Sequence, residues 1–199
     1  MVGRIDDGWR VYAIGDVHGC LDPLNRLLDA IEADLQKSKA RGHLVFLGDL
    51  IDRGPASADV IERVKSGKLP GERHSFLMGN HEEVFLDCYD GNVQRCGQWL
   101  QYGGLQMLES YGLSRAQILE RPFELPAVMA AAIPAEHVSF MRSFIDQLQV
   151  GNYLFVHAGI RPGVALEEQA ARDLRWIRSG FLESTANHGS IVVHGHSIV

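Results

Sequence analysis

A chain of 199 residues that is 46% hydrophobic and 22% charged has enough apolar material for one well-buried domain with an insertion, not for two independent domains. Its formal charge of −6, with no lysine- or arginine-rich run, excludes a general nucleic-acid footprint. No stretch of about 18 apolar residues could cross a membrane. The three cysteines, Cys20, Cys88 and Cys96, form no CxxC pair and leave an odd count, so a reducing, cytoplasmic setting without disulfides is expected.

Trp9 to Ile14 reads as a first buried strand that ends in Gly15-Asp16-Val17-His18-Gly19, where Asp16 and His18 sit two apart on one extended loop. Asp22 and Pro23 read as the N-cap and first position of a helix with an apolar stripe of Leu24, Leu27, Leu28, Ile31 and Leu35. A second strand, His43 to Leu47, delivers Gly48-Asp49-Leu50-Ile51-Asp52-Arg53-Gly54. Two carboxylates and a guanidinium within five residues suit a cation beside a phosphate. A helix is predicted from Pro55 to about Ser66, then a Gly/Pro-rich connection, then a third strand from Ser75 to Met78. That strand ends in Gly79-Asn80-His81-Glu82, where Asn80 offers a carbonyl oxygen to a cation.

From about 91 to 149 the chain reads as mostly helical, interrupted by Gly103-Gly104, Pro122, Pro126 and Pro134, with Trp99, Leu100, Leu105 and Leu148 among its packing residues. It carries no ligand cluster, and reads as a helical cap in which substrate choice would reside. Tyr153 to Val156 then delivers His157, and Ile191 to Val193 delivers His194-Gly195-His196. Any one of these clusters alone is a weak signal. Five predicted strands that all end in metal-type ligands are a strong one, because in layered α/β folds the carboxyl ends of strands converge on one crevice.

The ordered set GDVHG, GDLIDRG, GNHE, HAG and GH resembles the signature of the phosphoprotein phosphatase superfamily of binuclear metallophosphoesterases over nearly the whole chain, from about Trp9 onward. The runs Trp99 to Gly104, Ser110-Tyr111-Gly112, His157 to Val164 and Arg175 to Arg178 are similar to its bacterial branch, which includes serine/threonine phosphatases and symmetrical dinucleoside-tetraphosphate hydrolases. The resemblance implies an α/β calcineurin-like sandwich with mixed sheets flanked by helices, a single domain over 1–199. It implies two divalent ions: manganese is expected, with iron or zinc as alternatives for a set that mixes oxygen and imidazole. Asp16, His18 and Asp49 would bind the first ion and Asp49, Asn80, His157 and His196 the second, with Asp49 shared. Arg53 and Arg178 would hold phosphoryl oxygens, Arg161 being the alternative to Arg178. His81 would protonate the leaving group, oriented by Asp52, after direct attack by water activated between ions about 3.5–4 Å apart.

A serine/threonine phosphatase acting on phosphorylated protein or peptide is the leading expectation. A dinucleoside-tetraphosphate hydrolase is the alternative, and a non-catalytic phosphate-binding module the third reading. Members of the family usually continue past the GH motif, whereas this sequence stops three residues after His196, so closing strands are expected to be missing. Cys20 is expected to be a small buried residue rather than a nucleophile.

Overall fold

The structure is a computed structural model that describes residues 3–120 and 122–198. Three parallel strands form the first sheet in the order β1 (Trp9–Ile14), β2 (Arg41–Phe46), β3 (Arg73–Phe76). Between them run α1 (Leu21–Ser38) and α2 (Ser57–Lys65), as parallel strands require of their crossovers. A second, mixed sheet contains β4 (Gln147–Val150), β5 (Tyr153–Val156) and β6 (Ile191–Val193), with β4 antiparallel and β6 parallel to β5.

The alternation of side chains along β2 and β5 builds the layers. Val45 and Leu47 face Leu77 and Phe155 in a small core between the sheets. Leu44 and Phe46 face the other way, into the large core shared with α1 and α2, where Leu24, Leu28, Ile31, Val60, Ile61 and Val64 are buried. Leu154 and Val156 turn outward to Ile160 and Leu174. The result is helix, sheet, sheet, helix, and the last layer holds the short helix that carries Leu174 and ends at Trp176.

The segment between the sheets is helical as expected, but its helices end sooner. α3 (Asn80–Tyr89) and α4 (Val93–Trp99) lead into a kink, Leu100–Gly104, broken at Gly103 (φ +119), followed by α5 (Leu105–Ser110), α6 (Arg115–Leu119), α7 (Leu125–Ala132) and α8 (Ala135–Arg142). α9 spans Ala171–Trp176. Residues 147–150, expected to be the end of the cap, are instead strand β4, which the Gly151-Asn152 turn pairs with β5.

Local differences also have clear causes. α1 begins one residue before Asp22, which makes no capping bond and sits in the first turn, where its charge suits the helix N-terminus. Leu27 is 44% exposed, so the buried stripe is Leu24, Leu28, Ile31 and Leu35. Cys20 is exposed rather than buried, and Cys88 and Cys96 are joined by a disulfide that pins α3 to α4, against the expectation of free thiols. No helix among the described residues is long and apolar enough to cross a membrane.

Candidate metal centre and active-site cleft

Six non-glycine residues among those described have positive φ, and five are site residues singled out from sequence: His18, Asp49, Asp52, Arg53 and His196. The left-handed region costs an L-residue of order 1 kcal/mol, so such a concentration at strand ends marks backbone bent to aim side chains. The bends are held by fixed bonds. The Val17 and His18 N–H groups both donate to Asp49 O (3.0 and 2.9 Å), which locks the first motif loop to the second. Glu82 lies fully buried and accepts from four backbone N–H groups: Asp49 (2.8 Å) and Gly79 (3.1 Å) on Oε2, Leu50 (2.7 Å) and Ile51 (3.4 Å) on Oε1. Gly48 has φ +97 and its position leaves no room for a Cβ, which would lie 2.9 Å from His157 Nδ1.

Asp49 is the hub. Its Oδ1 accepts from the His81 N–H (3.0 Å), and its Oδ2 lies 3.7 Å from His18 Nε2, 3.4 Å from His157 Nε2 and 3.9 Å from His81 Nε2. Two clusters of ligand atoms share it: His18, Asp49 and His81, and Asp49, His157 and His196. Asp16 stands beside both, with Oδ2 3.9 Å from His18 Nε2 and Oδ1 accepting from the His196 N–H at 3.0 Å.

The donor set fits divalent cations. Nδ1 of His18 and of His157 donates to a backbone carbonyl, Ile51 O (2.9 Å) and Leu47 O (2.7 Å). Each ring therefore turns an Nε2 lone pair inward. For His157 that lone pair meets the acceptor Asn80 Oδ1 at 3.0 Å, with His196 Nδ1 at 3.2 Å beside it. The inward Nε2 of His18 and the Nε2 of His196 are buried with no hydrogen-bond partner. Acceptors gathered around acceptors without a shared proton are what a cation resolves. Burial pulls the His18 and His196 imidazoles down to about 4, so both rings are neutral at physiological pH, the form in which an imidazole can bind a cation. It pushes the Asp49 carboxyl up to about 7, a cost that a bound cation would reverse.

Beside this centre, Asp52 Oδ2 accepts from His81 Nδ1 (2.6 Å) and from the Trp99 indole N–H (2.7 Å), while the Asp52 N–H donates to Ser57 Oγ. Burial lowers the His81 imidazolium, but the Asp52 hydrogen bond and the charges of Asp49, Asp52 and Glu82 outweigh it and hold the ring above its usual value. Arg53 Nη2 donates to His81 Nε2 at 3.1 Å. A cleft of about 370 Å³ opens over these groups, lined among others by Arg53, His81, Trp99, Tyr102, Trp176 and Arg178. Arg161 points elsewhere, in a two-pronged pair with Asp173 (2.7 and 2.6 Å).

The residues named from sequence thus gather at the ends of β1, β2, β3, β5 and β6, apart from Arg178, which follows α9. Sequence reasoning gave no role to Glu82, Tyr102 or Trp176 and read Trp99 as packing alone. Glu82 stood within a motif but its four backbone partners had no sequence signature.

The model of the calcineurin-like phosphoesterase family matches residues 10–199. The chain is 31% identical over 154 residues, 76% of its length, to a symmetrical bis(5′-nucleosyl)-tetraphosphatase of Janthinobacterium, and 30% identical over 162 residues to the protein of that name in Methylococcus capsulatus, 81% of the chain. These alignments span 44% and 47% of the relatives, so the chain covers about half their length. Its fold is similar to the crystal structure of a protein provisionally named a diadenosine tetraphosphatase, with a TM-score of 0.61 at 19% identity, over 97% of this chain and 77% of that one. The family model matched over residues 10–199 makes the chain a member of the calcineurin-like phosphoesterase family, in keeping with the side chains gathered at its strand ends.

Proposed function

We propose that this chain is the catalytic core of a divalent-metal-dependent hydrolase that cleaves symmetrical dinucleoside tetraphosphates. The observation that carries the metal-dependent part is the cage of unshared acceptors around Asp49: His18 Nε2, His157 Nε2, Asn80 Oδ1 and His196. The substrate class rests on the named relatives, which reverse the order suggested by sequence alone, in which phosphoprotein hydrolysis came first.

When bound, divalent cations would neutralise phosphoryl oxygens and lower the pKa of water toward neutrality to generate the nucleophile, manganese being the metal we infer. Asp16, His18, Asp49, Asn80, His157 and His196 would hold them. Arg53 and Arg178 line the same cleft and would clamp phosphoryl oxygens, strengthening as charge builds toward the transition state. A phosphate that draws Arg53 away frees His81 Nε2 to take a proton, which Asp52 and Asp49 favour. His81 then delivers that proton to the leaving oxygen.

The test is parallel hydrolysis of a dinucleoside tetraphosphate and a phosphothreonine peptide by metal-stripped protein with and without manganese. Manganese-dependent turnover of the dinucleotide supports the proposal; turnover of the peptide alone refutes its substrate class.

A further inference from the structure

Two large aromatic side chains in the cleft take no part in the chemistry above. Tyr102 is 67% exposed and Trp176 37%, yet the Tyr102 turn is tied to the Arg53 backbone and Trp176 to the Glu83 carboxylate. Tyr102 sits in the kink between α4 and α5. Next to it, Gly103 (φ +119) accepts from the Arg53 N–H at 3.1 Å, and a Cβ there would collide with the Arg53 backbone nitrogen. The turn that presents Tyr102 is thereby docked on a phosphate-facing arginine.

Trp176, at the end of α9, donates its indole N–H to Glu83 Oε2 (3.2 Å). The same carboxylate takes Arg175 Nη1 (3.2 Å) and, through Oε1, Arg95 Nη1 (3.1 Å), so α3, α4 and α9 are tied at one point. The indole edge is anchored while more than a third of the side chain stays open. Arg53 and Arg178, which no carboxylate pairs among the described residues, line the same space, so on a chain of net charge −6 the cleft presents cationic groups beside its aromatic side chains. Arg95, also in the lining, is neutralised by Glu83 and Asp87.

We propose that Tyr102 and Trp176 are the nucleobase-binding walls of this cleft, specificity residues that grip a substrate base by stacking while the arginines hold its phosphate chain; this rests on the dinucleotide reading above. The cleft, near the lower end of the roughly 300–1,000 Å³ of small-molecule sites, suits one nucleoside arm at a time. Exposed π-faces beside guanidinium groups suit a flat aromatic ring at the end of a polyanion, which a phosphoserine or phosphothreonine side chain lacks. Every base has a π-face, so recognition by stacking tolerates adenine and guanine alike.

The experiment measures KM on the manganese-loaded chain for a dinucleoside tetraphosphate and for base-free tripolyphosphate, alongside calorimetric Kd values for a nucleoside diphosphate and pyrophosphate. Tyr102→Ala and Trp176→Ala should each raise KM and Kd for the nucleotides by about 5- to 100-fold. Both constants for the base-free ligands should stay within about twofold, and Tyr102→Phe and Trp176→Phe should recover most of the nucleotide affinity. Alanine variants that weaken nucleotide and base-free ligands equally, or leave both unchanged in a chain that does hydrolyse the dinucleotide, overturn the base-wall assignment alone. A chain that turns over tripolyphosphate or a phosphopeptide but no dinucleotide overturns the functional reading and this inference with it.

Discussion

Asp52→Asn isolates one charge at nearly constant shape. The amide oxygen can take the place of Oδ2 and still accept from His81 Nδ1 and Trp99 Nε1, and its NH₂ falls where Oδ1 already lacks a partner. What is lost is the carboxylate facing the imidazolium, a charged hydrogen bond worth about 1.5–3 kcal/mol, or about 1–2 pKa units. The His81 pKa, held up by Asp52 and its neighbours in the wild type, falls by that amount. The imidazolium fraction above both pKa values then drops about 10- to 100-fold. For an alkyl phosphate, whose leaving alkoxide needs a proton, kcat should fall by the same factor with KM little changed. The basic limb of the pH–kcat profile should move to lower pH, and activity should return on acidification. For p-nitrophenyl phosphate the loss should be small, and a nucleoside diphosphate leaving group, itself a stabilised anion, should behave more like the aryl case. Steady-state kinetics across pH on the alkyl and aryl esters test this. An equal loss on both esters with an unshifted basic limb would refute the proton-donor reasoning and leave Asp52 as an anchor for Trp99.

In metal-free protein, burial raises Asp49 and Glu82 to about 7 and the Asp52 hydrogen bond with neighbouring charges raises His81, while burial lowers His18, His43, His157 and His196. Between about pH 7 and 8, where those four are mostly neutral in the unfolded chain as well, the folded state holds more protons than the unfolded. Thermal stability should therefore fall as pH rises through that window. Manganese should flatten or reverse the trend, and a stability that rises with pH in metal-free protein would contradict the assignment. Glu82→Ala strips the acceptor from four buried N–H groups at the turns bearing Asp49 and Asn80, and should cost at least about 4 kcal/mol in denaturant unfolding. Arg178→Ala should raise KM for any phosphorylated substrate about 10- to 100-fold. Arg161→Ala, which breaks only an exposed pair with Asp173, should leave KM unchanged; the reverse result would exchange the two arginines' roles. Removing the Cys88–Cys96 link by Cys96→Ser should leave tripolyphosphate turnover intact while lowering the melting temperature, as scanning calorimetry would show.

Where strands end and polar ligands begin was legible because two periodicities meet there: apolar runs at β5 and β6 stop abruptly at His157 and His194-Gly195-His196. β4 escaped because Gln147-Leu-Gln-Val is four residues of alternating polarity after a run of helices. The Gly-Asn pair between it and β5 was the available signal for a hairpin. The disulfide was illegible, since an eight-residue spacing and a third cysteine point to no pairing. Trp99 looked like packing because it is packing: it lies against Phe85, and only its indole N–H reaches Asp52. Glu82 shows the remaining limit. A motif names a carboxylate, but which backbone donors it gathers depends on two loops more than 30 residues apart.

The bond between the His196 N–H and Asp16 Oδ1 joins positions 180 apart in the chain. During synthesis, the β1 to β3 unit with His18, Asp49 and His81 can emerge and pack while His157 and His196 are still to be made. One acceptor cluster therefore exists before the other, and a cation captured early meets a half-built cage that binds it weakly. Both clusters stand complete only once His196 has reached Asp16, so the full cage forms no earlier than the docking of the two sheets.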